Sequence, residues 1–296
     1  MRNNMKKHFP VYFLTVTLLM LLAVSSRAQD TDILVGDSDD RPSVVDKGTV
    51  KEILDSDMIE LSNDRRYKLD NILMPPYEDQ PAMDELNKLV LGKLVTILVY
   101  PNPDEKPQHG LPAVQVITDK NVWVQEDLVA KGLAWAYSSD TNEQMIYPLK
   151  VVEDNARIQK VGFWKDPVYA IKTPSTVKNF MNSYQIVEGK ILSTNVRASG
   201  TTFLNFGKNW KTDFEVRVKG SNDFLGLVND PRAPKNKKAL TKEEAEVQNR
   251  GFNPQQWEGR IVRVRGWVHG SDGPMIDLAH REQIDFIDGP PAAAGK

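Results

Sequence analysis

Residues 48–76 read GTVKEILDSDMIELSNDRRYKLDNILMPP. Two apolar-rich runs, Thr49 to Leu54 and Met58 to Leu61, flank a polar turn at Asp55-Ser56-Asp57. Asn63-Asp64 is a second turn. It leads into a third run, residues 66–72, which Pro75-Pro76 ends. Short runs of this kind between Asp, Asn and Pro turns predict three consecutive β-strands.

Reading outward, residues 81–91 carry Met83, Leu86, Leu89 and Val90 at helical spacing, closed by Gly92. Residues 94–100 and 113–118 read as strands joined by a polar, proline-rich loop. Helices follow at 124–131, closed by Gly132, and 142–160, closed by Gly162. Five strands, with one helix inserted after the third and two at the end, predict a β-barrel with attached helices over residues 46–166. Residues 167–183 read as a connector. A second strand series then covers 184–192, 202–206, 214–218, 260–268 and 275–287. Between its third and fourth strands lie a lysine-rich loop at 234–238 and a short helix, with Thr241 and Glu244 as a capping box. That order suits a second small barrel of OB type over residues 184–288. The expected fold class is therefore mainly β with α: two OB-type five-stranded barrels, the first with three helices. Residues 289–296 read as a disordered tail.

The N-terminus reads as an address. Arg2, Lys6 and Lys7 precede an apolar run at 12–24, too short for a span of roughly 20 residues. Ser26-Arg27-Ala28 places small residues at a signal-peptidase site. A signal peptide over 1–28, cleaved after Ala28, is expected, with a periplasmic or secreted protein as its product. An uncleaved membrane anchor is the alternative. After cleavage no segment is apolar enough to be a membrane partner. Residues 29–45 read as a flexible mature N-terminus.

Cysteine is absent, which excludes disulfides, thiol catalysis and Cys-ligated metal. Only four histidines occur, which argues against a His-rich metal centre. The formal charge of −2 becomes −6 once the basic leader is removed. The acidic excess lies in the first half, poorly suited to holding phosphate backbones.

Several stretches carry a resemblance to the thermonuclease, or staphylococcal-nuclease-like, family. The turn at 55–58 (DSDM) sits where that family has D-G-D-T, and YKLDNILMPP (67–76) resembles its V-R-L-x-x-I-D-A-P-E. QHGLPA (108–113) sits where it has Y-G-R-x-L-A. The most specific are NVWVQEDLVAKGLA (121–134) and Gly162-Phe163-Trp164, which resemble V-N-x-x-L-V-x-x-G-x-A and the closing G-x-W. The resemblance implies an OB barrel with added helices. It also implies a site needing a hard divalent cation, a carboxylate to activate water, and two arginines.

At those positions this chain departs from the family. Lys68 and His109 stand where the resemblance implies arginines. Leu73 stands for a metal carboxylate, Met74 for the adjacent threonine and Pro76 for the general base. Asp55 and Asp57 remain as residual carboxylates, and local turn bonding also accounts for them. Glu78 and Asp79 follow the prolines and are open to recruitment. The expectation is a domain without the family's catalysis and without a cofactor. Ca²⁺ enters only if a divergent nuclease or phosphodiesterase is the true reading.

TFLNFGKNWKTDF (202–214) and RVRGWV (263–268) with GPMI (273–276) resemble a segment that follows thermonuclease-like domains in some bacterial exported proteins. On the 260–269 strand Val262, Val264 and Val268 share one face, and Arg263, Arg265, Trp267 and His269 the other. Guanidiniums with an indole suit single-stranded nucleic acid. Lys208, Trp210 and Lys211 add the same chemistry on a loop. These six residues are the candidate ligand contacts. A solvated face, its arginines paired with Asp213, Glu215 or Asp277, is the plainer alternative. Three functions stay open: a non-catalytic binding protein for nucleic acid or another envelope polymer, a divergent metal-dependent hydrolase, and a carbohydrate binder using some of Trp123, Trp135, Trp164, Trp210, Trp257 and Trp267.

Overall fold

A computed structural model describes residues 43–99, 111–138, 143–197, 201–218, 257–279 and 281–288. The described residues are mainly β with three α-helices. The leader, His109, His280, the lysine-rich loop, the capping box at Thr241 and the C-terminal tail lie outside the described residues.

One long strand closes the first sheet. β1 (Ser43–Asp55) pairs with β5 (Leu94–Val99) through its first half and with β2 (Met58–Leu61) through its second. β3 (Arg66–Leu69) follows β2, and β6 (Ala113–Thr118) joins β3 in parallel and β5 antiparallel. The circuit β1-β2-β3-β6-β5 is a closed barrel. Its interior holds Ile59, Leu61, Leu69, Ile97, Val114 and Val116, all sealed from solvent. Each large apolar side chain among them contributes about 1.5–3 kcal/mol on burial. β1 begins inside the stretch expected to be a flexible N-terminus, because Ser43 and Val44 pair with Val99 and Leu98.

The strand expected at 66–72 breaks in two. Asn71 takes a left-handed φ of 59° after Asp70, and β4 (Ile72–Leu73) leaves the barrel to pair with β7 (Trp135–Ala136). So short a ribbon carries no sequence signal of its own. α1 (Asp79–Val90) buries Ala82, Leu86 and Val90, and α2 (Val124–Ala130) buries Val124, Leu128 and Val129. α3 (Glu143–Ile158) contributes Ile146 and Leu149 to the barrel's core. The two closing glycines meet. A Cβ on Gly162, at φ +53°, would lie 2.0 Å from the Gly132 carbonyl oxygen. That oxygen accepts the Phe163 N–H at 2.9 Å. Only glycine permits this approach, and it leads into Phe163 and Trp164, which pack with Trp135 and Ala156.

Among the described residues the second part has seven strands where five were expected. β8 (Tyr184–Lys190) pairs with β12 (Ile261–His269), and β9 (Ser193–Val196) pairs with β10 (Thr202–Asn205). The expected strand 184–192 thus changes partner at Ile191 and Leu192. Their N–H groups donate to the carbonyls of Arg260 and Asn205. β11 (Glu215–Val218) lies antiparallel to β10 and parallel to β13 (Met275–Leu278), which pairs with β12. The expected strand 275–287 is broken by a 3₁₀ turn, Arg281–Gln283, and resumes as β14 (Ile284–Phe286) on the other side of β12. The described strands form a curled sheet, with Leu204, Phe214, Val216, Val262, Val264 and Ile276 in its core.

All the described residues belong to one compact unit. A third apolar cluster joins the two sheets, with Trp135, Ala156, Phe163 and Trp164 from the first part and Tyr184 and Ile186 from β8. Among the described residues no helix is long and apolar enough to cross a membrane.

Candidate functional site

The β1–β2 turn, the end of β3 and the start of α1 converge on a cleft of about 380 Å³. Its walls carry Asp55, Asp57, Lys68, Leu73, Met74 and Asp79, so most of the positions singled out in the sequence come together. The register explains the charged wall. Met58 pairs with Lys68, and the Leu69 N–H donates to the Asp57 carbonyl at 2.7 Å. This brings the Lys68 ammonium within 3.2 Å of the Asp57 carboxylate. Burial raises the Asp57 carboxyl pKa, a shift that Lys68 opposes and that Asp55 and Asp79 reinforce.

Asp55 is occupied locally: one carboxylate oxygen accepts the Ser56 N–H at 2.7 Å. The buried Ser56 hydroxyl donates to Asp79 at 2.8 Å, across to the first turn of α1. The N-terminus of α1 favours a carboxylate there. Leu73 and Met74 give the cleft an apolar side where the family resemblance implies oxygen donors. Leu73 is fixed by its pairing with Trp135. Among the described residues no group of three or more His, Asp or Glu side chains is placed to hold a metal ion. Calcium wants six to eight oxygens; among the described residues the cleft's carboxylates are Asp55, Asp57 and Asp79, and Asp57 is already paired with Lys68. Of the two acidic residues after Pro75-Pro76 that the sequence left open to recruitment, Asp79 lines the cleft, from the first turn of α1.

Pro76 lies outside the cleft's lining, and its carbonyl accepts the Tyr169 hydroxyl at 2.7 Å. Beside it Tyr77 stands almost wholly in solvent with φ 71°.

The strand face that carries Arg263, Arg265 and Trp267 is not an open platform. α3 lies across it. Arg265 is 1% exposed and donates to the Glu153 carboxylate at 2.9 Å and to the Ala136 carbonyl at 3.0 Å. Arg263 bridges Asp154 at 2.8 Å and Glu188 at 3.1 Å. Lys150 completes the row with Asp285 and the Glu282 carbonyl, and burial lowers its pKa. The alternation of valines and arginines holds as read, but the arginines meet an acidic helix rather than solvent. None of the partners named for the plainer alternative takes them either. Asp277 pairs with Arg217 at 2.6 Å and lies 3.4 Å from the His269 imidazole. Trp267 alone of the three stays open, edge-on to Tyr184 at 6.1 Å.

Lys208, Trp210 and Lys211 lie on an exposed loop between β10 and β11. Asn209 and Asp213 staple it, the Asn209 N–H donating to the Asp213 carboxylate at 3.0 Å. The Lys211 ammonium lies 5.5 Å from the centre of the Trp210 ring.

The cleft and its helices fall largely within a stretch with known relatives. The family model described as staphylococcal nuclease homologue matches residues 66–166. An uncharacterized 38.1 kDa protein of Capnoides sempervirens is 37% identical over 84 residues, 28% of this chain and 22% of that protein. The matched stretch is thus less than a quarter of that relative's length. Residues 66–166 contain a staphylococcal nuclease-like domain.

Proposed function

We propose that this is an exported, non-hydrolytic binding protein, built around a staphylococcal nuclease-like domain that has lost its catalytic chemistry. One observation carries the reading: Lys68, the one cation among the described residues that line the cleft, is already paired with Asp57, and Leu73 and Met74 give the lining an apolar part. Phosphodiester cleavage needs charge held ready for a pentavalent phosphorus and an activated water. A lysine neutralised by its own neighbour offers neither the bidentate fork of arginine nor a free charge. The carboxylates outnumber it, so a phosphate approaching the cleft meets net repulsion.

The test is turnover of denatured DNA with Ca²⁺, for the purified protein and a Lys68→Ala variant. No cleavage by either is expected. Metal-dependent cleavage that Lys68→Ala abolishes overturns the reading and favours a divergent hydrolase that recruits Asp79. Export follows from the leader. N-terminal sequencing of protein secreted by a bacterial host is expected to begin at Gln29, and an intact Met1 in the membrane fraction rejects it.

A polyanion is the less favoured ligand. The two arginines best suited to phosphates are tied into the contact with α3. The exposed Lys208, Trp210, Lys211 and Trp267 remain for ligand contact.

A further inference from the structure

We infer that the nuclease-like cleft is a docking groove for a basic peptide, and that it holds the side chain of an arginine or lysine of a partner protein. The inference rests on the non-hydrolytic reading above and gives that same site its ligand.

The groove has an apolar part. Met58, Leu73, Met74 and Leu111 line it, and all four are only half-buried, so each leaves apolar surface there. Two of the four are methionines, whose unbranched thioethers adapt to the shape of what they cover. Arginine and lysine carry apolar stems that lie along such surface while the charged head stays at its edge. The volume of about 380 Å³ is at the low end of the roughly 300–1,000 Å³ usual for ligand pockets. That suits one side chain, with the rest of the peptide outside.

The rest of the lining is acidic. Asp55, Asp57 and Asp79 stand against Lys68, the one cation among the described lining residues, so the formal charge of the lining is −3 + 1 = −2. Lys68 answers Asp57, at 3.2 Å. Asp55 and Asp79 are held by Ser56 instead, through its N–H at 2.7 Å and its hydroxyl at 2.8 Å. Ser56 is a neutral donor and takes one oxygen of each, so both charges stay unmatched by any cation among the described residues. Ser56 is itself buried, at 4% exposure, and links the two carboxylates that flank it. An ionised carboxylate has about four acceptor positions, so both aspartates keep room for the donors of a guanidinium or ammonium.

Charge complementarity therefore selects the occupant. An anion is repelled, and a neutral chain covers the apolar part while desolvating two unmatched carboxylates. A cation on an aliphatic stem satisfies both parts. Tyr77 favours a protein as its source. It lies in the chain between Met74 and Asp79, which both line the groove, and its ring is 95% exposed. The backbone beside it is held, since the Pro76 carbonyl accepts the Tyr169 hydroxyl at 2.7 Å. An exposed tyrosine on a held backbone is the kind of residue that anchors a protein contact.

The test is an NMR titration of the whole mature protein, in EDTA, with capped pentapeptides Gly-Ala-X-Ala-Gly in which X is arginine, lysine or glutamine. The arginine or the lysine peptide is expected to shift the amides of Ser56, Asp57 and Asp79, and to bind at least about tenfold more tightly than the glutamine peptide. Replacing Asp55→Asn and Asp79→Asn together is expected to lower that affinity by about tenfold or more. Both positions are exposed, and asparagine still accepts from Ser56, so the fold is retained; a thermal melt checks this, and Asp79→Asn alone carries the test if the pair unfolds. The inference is overturned if neither cationic peptide shifts these amides, if the glutamine peptide binds as well, or if the aspartate variants bind as the parent does. EDTA separates this outcome from the DNA assay. Uncut DNA with no peptide binding defeats this inference alone, whereas Ca²⁺-dependent cleavage defeats the non-hydrolytic reading whatever the peptides do.

Discussion

The guanidinium of Arg265 on β12 lies 2.9 Å from the carboxylate of Glu153 on α3, and neither side chain reaches solvent. The same arginine donates to the Ala136 carbonyl, and Glu153 accepts the Ala136 N–H at 2.8 Å. Ala136 belongs to the β4–β7 ribbon, whose Leu73 walls the nuclease-like cleft. The second sheet therefore braces the ribbon that walls the cleft through this buried pair, beside the Arg263–Asp154 and Lys150–Asp285 pairs and the third apolar cluster. It is not an appended module with a free face.

Removing one member of a buried pair strands a charge. Arg265→Met and Glu153→Leu are each expected to destabilise the protein by about 3–5 kcal/mol, while the double substitution recovers most of that loss. Urea unfolding followed by tryptophan fluorescence measures all three. Single variants within about 1 kcal/mol of the parent would show that the pair behaves as a solvated one.

Glu215, a half-buried carboxyl with no hydrogen-bond partner among the described residues, makes a pH-dependent prediction. Burial raises its carboxyl above the ordinary value of 4.5, so the folded state favours the protonated form. Such a group contributes its stability below its unfolded value and loses it as pH rises through its folded value. Glu215→Gln is expected to raise the melting temperature near neutral pH, and the gain is expected to vanish below the ordinary carboxylate range. A melting temperature unchanged at neutral pH means the carboxylate has a partner.

The meeting of Gly132 and Gly162 tolerates no side chain. Gly162→Ala is expected to cost about 3 kcal/mol or more, combining left-handed strain with a backbone clash. Gly92, also left-handed, has nothing within 4 Å of its virtual Cβ. Gly92→Ala is therefore expected to cost less, about 1 kcal/mol. Comparing the two midpoints in denaturant separates clash from strain.

Restoring carboxylates to the cleft is not expected to restore hydrolysis. In a Leu73→Asp, Pro76→Glu variant the Lys68 ammonium still sits on Asp57, and Pro76 lies outside the cleft's lining. Denatured DNA with Ca²⁺ is expected to remain uncut. Cleavage by this variant would mean that two carboxylates were all the cleft lacked.

The sequence by itself determined the local elements. Turn residues at 55–57 and 63–64 and glycines at 132 and 162 bound the strands and helices, because turn and cap chemistry acts within a few residues. It also determined that Asp55, Asp57 and Lys68 share one hairpin region and that Val262, Val264 and Val268 share a face. The tertiary structure alone decided what the opposite face meets. Arg263 and Arg265 find Asp154 and Glu153 more than a hundred positions earlier in the chain. Alternation along a strand gives the side of a residue, not its neighbour. The β4–β7 ribbon and the split of β8 from β9 were hidden for the same reason. Each depends on a pairing partner distant in sequence, and such pairing is fixed only when the whole core closes.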